Sequence, residues 1–191
     1  MRKRGIALKC KSIWTGSCLL LCSLLDATSV GRAQSASASE DMIRAALVQR
    51  LTLYVEWPEW KMDASHARFN VCLIGSDPIG PALNAAFRDK SVLLKSVVVT
   101  HVQNVDKAQD CHLLYVGANA RREVQRDLAN LEQAAVLTVS EQPYTTNSGQ
   151  IVGLPRDESH VRIEINLKGA AQSKLEISSR LLQLATITEK P

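Results

Sequence analysis

The sequence is poor in the features by which many functions show themselves. Of 191 residues only 4% are aromatic, nine are glycine and six are proline, which excludes a collagen-like repeat and a Pro/Gly-rich low-complexity chain. With 46% apolar and 22% charged residues the chain is not disordered. No segment after the first 33 residues is long and apolar enough to span a bilayer, which excludes a polytopic membrane protein. No internal repeat is visible, and the length suits one domain of ordinary size. Catalytic signatures are missing as well. The four histidines, His66, His101, His112 and His160, form no HxH, HxxxH or HExxH, and there is no GxSxG elbow, GxGxxG or P-loop. The segment Gly75-Ser-Asp-Pro-Ile-Gly80 falls where α/β folds bind phosphate. It lacks both spacings and a following Lys-Ser/Thr, so it reads as a strand exit and helix cap. Ser76, the remaining candidate nucleophile, has no identifiable base. No metal site, cofactor or enzymatic activity is expected.

What charge there is sits unevenly. The formal net charge is +4, but residues 1–33 hold six of the 23 basic residues (Arg2, Lys3, Arg4, Lys9, Lys11, Arg32) and one of the 19 acidic ones, Asp26. The remainder, 34–191, has 17 basic and 18 acidic residues. Its balance of −1 gives no reason to expect a nucleic-acid partner. The same 33 residues combine a basic stretch to Lys11, an apolar run Cys18-Leu-Leu-Leu-Cys-Ser-Leu-Leu25, and small residues at Gly31 and Ala33, the three parts of a secretory signal peptide. Asp26, Thr28, Ser29 and Arg32 interrupt the run too early for a permanent anchor. The expected organisation is a signal peptide 1–33, a flexible segment 34–39 and a single domain 40–191. The mature chain is then not membrane-spanning.

Of five cysteines, three (Cys10, Cys18, Cys22) lie in the leader, leaving Cys72 and Cys111. In an exported chain a lone pair is normally a disulfide. A redox-active pair or half of a metal site fits less well, without a CxxC spacing or a neighbouring His/Asp cluster.

Along the chain, Ile43, Leu47, Val48, Leu51 and Val55 keep a helical rhythm, predicting a helix over Glu40–Val55 that Pro58 stops. Arg68–Ile74 becomes wholly apolar and ends at Gly75, the pattern of a buried strand. Asp77-Pro78 opens a second helix to about Phe87. Strands are expected at Ser96–Val102, Cys111–Val116 and Ala135–Val139, with a helix from Asn119 to about Leu131. This alternation predicts a three-layer α/β/α domain with a largely parallel, flavodoxin/Rossmann-like central sheet. Bridging Cys72 to Cys111 requires Cα atoms within about 7 Å, so the first and third of these strands should be neighbours, the 2-1-3 order of flavodoxin-like sheets. Gln150–Leu154 and His160–Asn166 read as a C-terminal antiparallel hairpin, and Ser178–Ile187 as a closing helix.

Two features stand out as candidate partner- or ligand-binding elements. Trp57-Pro58-Glu59-Trp60 contains all the tryptophan after the leader. Trp57 suits a core staple and Trp60 a contact surface, because tryptophan is enriched at interface hot spots. In Val161-Arg-Ile-Glu-Ile-Asn166, strand alternation puts Arg162, Glu164 and Asn166 on one face, either as a ligand-facing row or as the solvated side.

Taken in order, Tyr54-Val-Glu-Trp-Pro58, Phe69-Asn-Val-Cys-Leu-Ile-Gly75, Cys111-His-Leu-Leu-Tyr-Val116, Val161-Arg-Ile-Glu-Ile-Asn-Leu167 and Leu175-Glu-Ile-Ser-Ser-Arg-Leu-Leu-Gln-Leu-Ala185 resemble the YfiR family of periplasmic bacterial regulators over nearly the whole mature chain. The resemblance implies a non-enzymatic periplasmic protein that restrains an inner-membrane diguanylate cyclase by binding its periplasmic sensor domain. It also implies release by an OmpA-like outer-membrane lipoprotein, homodimerisation and sensitivity to the thiol state. Cys72 and Cys111 match one family disulfide. A second cysteine pair of the YfiR repressor falls near Tyr144–Val152, where this chain has no cysteine, so control through a second bridge is not implied. Members of the family also serve other receptors and sensor kinases, which leaves a small-ligand sensor module as the alternative.

Overall fold

The computed structural model describes residues 29–63, 67–75, 79–120, 122–143, 149–157 and 160–189. The chain divides into two compact units, Met1–Ser37 and Ala38–Pro191. The basic and apolar parts of the expected leader lie outside the described residues, and all that follows concerns the second unit.

Helix α1 spans Ser29–Leu51, so the backbone of 34–39, expected as a flexible lead-in, is helical; Ala and Gln suit a helix and no proline interrupts it. Its other end comes four residues earlier than the apolar rhythm predicts. Val55 and Glu56 instead form strand β1 and pair with β11 (Glu176–Ile177), an alternative for β-branched Val55 that lies far along the chain. Strand β2 (Arg68–Ile74) follows, then α2 (Ile79–Phe87), the hairpin β3 (Ser91–Val92) and β4 (Lys95–His101), β5 (Leu113–Val116), α3 (Arg122–Asp127) and β6 (Leu137–Ser140). β2 has the predicted bounds. The predicted third helix is shorter than expected, with its last turn, Leu128–Leu131, a 3-10 helix.

Strands β4, β2, β5, β6 and β7 (Val152–Gly153) lie side by side in that order and are mutually parallel. In chain order this is 2-1-3-4-5, the flavodoxin-like arrangement that the cysteines predicted. These strands are apolar throughout because both of their faces are buried. Phe69, Val71, Leu73, Leu113, Tyr115, Leu137 and Val139 pack with Ala45, Val48 and Leu51 of α1 and with Ile79, Leu83 and Phe87 of α2. On the opposite face Cys72, Ile74, Leu114 and Val116 meet Val105, Ala108, Cys111, Leu128 and Leu131. At the carboxyl end of β2, Gly75 takes φ +98°, and a Cβ there would come within 3.3 Å of Ala120. The backbone thus closes on the strand exit, as the cap reading of this glycine expects. Ser76 and the Asp77-Pro78 cap lie outside the described residues.

The predicted hairpin is present in two steps. β7 pairs antiparallel with β10 (Glu164–Asn166) inside the main sheet, and β8 (Arg156–Asp157) pairs with β9 (His160–Val161) at the tip. After α4 (Leu167–Gln172) and β11, the expected closing helix is only α5, Ser179–Leu182. Thr186–Glu189 forms β12, parallel to β10. The correction has a physical reason: β10 otherwise presents an unpaired edge, and the β-branched run Thr186-Ile-Thr188 is better suited to pairing there than to helix.

Candidate functional site

The tryptophan loop packs against the amino end of the sheet. Trp57 is buried and its Nε1–H donates to the His112 carbonyl, 3.2 Å away. Its ring meets Phe69 edge-on at 5.1 Å, and Phe69 stacks on His112 at 4.7 Å. His112 is fully buried. Its Nδ1 accepts the Asn70 N–H at 3.0 Å, which places the ring proton on Nε2, 3.2 Å from the Lys61 carbonyl that accepts it. The His112 carbonyl accepts from Leu137 N–H as well. Every polar atom of this histidine is therefore occupied in holding structure, and none is left for a ligand.

Lys61 is the unexpected member of this group. Its side chain is buried, and Nζ donates to the Gln109 carbonyl at 2.6 Å. Burial pushes its ammonium down to about 8, with the Asp110 carboxylate pulling in the other direction. The tryptophan loop is thus tied to residues 109–112 by three side-chain to backbone hydrogen bonds. The next residue in that segment, Cys111, is bridged to Cys72 with Cα atoms 6.0 Å apart. Trp60 stands apart from this network and is 47% exposed. Beside the loop, Glu56, Trp57, Pro58, Lys174, Leu175 and Glu176 line an open groove of about 500 Å³.

The predicted polar row does not form as such. Asn166 is buried and caps α4: its Oδ1 accepts the Gly169 N–H at 2.8 Å and its Nδ2 donates to the Gln150 carbonyl at 3.3 Å. The register shifts between Ile165 and Asn166, which removes Asn166 from the alternation that would align it with Glu164. Arg162 is exposed and pairs with Glu164 at 3.7 Å, so these two remain a surface pair. They also lie far from the tryptophans. Glu164 is opposite Gly153 and Gly153 opposite Ser140, at the carboxyl end of the parallel strands, whereas Trp57 sits at the amino end of β5. The two candidate features form no single site.

Also at the carboxyl end is a charged cluster that the sequence does not reveal. Glu141, directly after β6, accepts a short hydrogen bond from the Tyr115 hydroxyl and pairs with Arg44 of α1 at 3.3 Å. Arg44 pairs with Asp41 at 3.4 Å as well, and its buried Nε has no hydrogen-bond partner. These residues come from three separated segments, and no short spacing links them. Their arrangement ties α1 to the strand ends; with no nucleophile or base pair in reach, it offers no covalent chemistry. Among the described residues no group of His, Cys, Asp and Glu could hold a metal ion, and no helix is long and apolar enough to cross a membrane.

Comparison with known families gives one match, to the YfiR/HmsC-like family, over residues 41–186. No curated protein matches the chain. The family match runs from the first turns of the globular unit to β12 and includes the tryptophan loop, both bridged cysteines and the C-terminal hairpin, the same segments that carry the sequence resemblance. The chain belongs to the YfiR/HmsC-like family.

Proposed function

We propose that this protein is a periplasmic regulator that binds the periplasmic sensor domain of an inner-membrane diguanylate cyclase and represses it, lowering cyclic di-GMP and biofilm formation. The family match across residues 41–186 is the observation that carries this reading, since YfiR-like proteins are regulatory and non-catalytic. The buried Cys72–Cys111 bridge is in keeping with an oxidising compartment. Repression then needs only differential affinity: a protein that binds the inactive conformation of the cyclase more tightly than the active one shifts the population toward it. Trp60, Arg162 and Glu164 are the exposed candidates for that contact. An OmpA-like outer-membrane lipoprotein that captures the regulator would relieve repression, and a homodimer would present each contact twice.

Deleting the gene is expected to raise cellular cyclic di-GMP and biofilm mass, with both restored by the wild-type gene in trans. Unchanged cyclic di-GMP across growth conditions would sink the proposal. The alternative, a small-ligand sensor module serving another receptor or a sensor kinase, draws support from the groove beside Trp57. A thermal-shift screen of periplasmic metabolites in large excess over protein distinguishes it, because any ligand of the folded state raises the midpoint.

A further inference from the structure

The parallel part of the sheet ends at β4 and the short β3, and this edge is left open. β3 pairs with β4 only through Ser91↔Ser96 and Val92↔Lys95. The Val102 N–H donates to the Leu73 carbonyl, so by strand alternation the even-numbered residues of β4 bond toward β2. The N–H and C=O groups of Val97, Val99 and His101 therefore point away from the sheet, and nothing among the described residues pairs with them.

Beside these groups runs a groove of about 430 Å³, lined by Phe87, Val97 and Val99 and rimmed by Asn84, Arg88 and Lys90. Its floor is apolar and its rim basic. Arg88 and Lys90 are exposed and make no ion pair with any described residue, while Lys95 is held by the Asp63 carbonyl at 2.9 Å. Against these cations and His101 stands one acid, Asp89.

We infer that the free edge of β4 takes an additional strand: an extended segment of a partner protein whose alternate residues are β-branched and which carries a carboxylate where it passes Arg88 and Lys90. Such strand addition draws affinity from main-chain hydrogen bonds and selectivity from the side-chain groove. A second copy of this chain is the less complementary occupant. A two-fold pairing of β4 centred on Val98 sets Lys95 opposite His101 and brings the basic rim of each copy toward the His101 end of the other, with no acid there to meet it. This surface lies apart from the tryptophan loop and from Arg162 and Glu164, and it does not depend on the identity of the regulated enzyme.

The test uses the whole exported chain and a fluorescein-labelled peptide, Glu-Thr-Val-Thr-Val-Thr-Glu, with a control in which both glutamates are lysine. Polarisation should show saturable binding of the acidic peptide, and hydrogen exchange should show new protection at the amides of Val97, Val99 and His101. Val99→Pro removes one outward N–H without touching the ladder to β2, a substitution that edge strands tolerate, and should weaken binding by about tenfold or more. Arg88→Glu with Lys90→Glu, both on the exposed rim, should reverse the preference between the two peptides while leaving the thermal midpoint in place. Equal binding to the wild type and Val99→Pro, or protection elsewhere on the molecule, would overturn the inference. So would a concentration-dependent dimer that Val99→Pro abolishes, since the edge then belongs to a second copy.

Discussion

At the scale of single residues, the two tryptophans of one tetrapeptide do opposite things, and their neighbours show why. Trp57 has Phe69 against its ring and a carbonyl on its nitrogen; Trp60 has water over nearly half its surface. Trp57→Ala is expected to cost about 3–5 kcal/mol of stability, measured by urea unfolding. Trp60→Ala should change it by less than about 0.5 kcal/mol and act, if anywhere, on partner binding. Lys61 supports a second prediction. Its folded value, about 8, lies below the usual lysine value near 10.5. Between those two pH values the unfolded chain binds a proton that the folded chain does not, so stability rises with pH across that window and the contribution is lost as pH falls through about 8. The urea midpoint should therefore climb between pH 8 and 10, and Lys61→Met should flatten that climb. An identical slope in the variant would show that other groups set it. The tryptophan pair was legible from spacing and the proline that follows Trp57. The burial of Lys61 was not, because a lysine after a tryptophan on a short loop has no local pattern that distinguishes a buried ammonium from a solvated one.

Among the elements, the parallel strands are the part that sequence patterning specifies most strongly. Phe69–Ile74 and Leu113–Val116 are apolar on both faces and terminate at glycines, and the structure buries both faces. The errors fall where an element's state depends on a remote partner. Val55 continues a helical rhythm yet becomes strand because Ile177 lies opposite it, and Thr186–Glu189 becomes strand because β10 has a free side. Asn166 shows the same dependence on context. Period-2 alternation assigns it to a polar face, but the strand ends there and its side chain turns to cap α4 and to hold the Gln150 carbonyl. Asn166→Ala is expected to cost about 1–2 kcal/mol through the lost cap, seen as a lowered urea midpoint. Asn166→Asp keeps the acceptor for Gly169 but turns an oxygen toward the Gln150 carbonyl, so it should recover only part of the loss.

For the whole molecule, the disulfide is the largest single constraint that chain order predicts. It joins residues 39 apart in sequence and pins the strand that precedes the first crossover to the start of the third strand. Its loop-closure contribution is about 4 kcal/mol, a large share of what a domain of this size has in total. The double variant Cys72→Ala/Cys111→Ala should lose about that much in urea unfolding, and the oxidised protein should resist mild reductant because both sulfurs are buried. A variant as stable as the wild type would mean that strand packing alone fixes the topology. By itself the sequence determined the fold class, the neighbours of the first strand and the family resemblance, because apolar runs, terminal glycines and two cysteines are local signals or impose a simple distance limit. Only the tertiary structure decided that the two candidate patches lie at opposite ends of the sheet, that Arg44, Tyr115 and Glu141 converge, and that one edge of β4 stays open. Each of those depends on which segments meet in space, and such meetings are set by the packing of the whole sheet, which no short window of residues encodes.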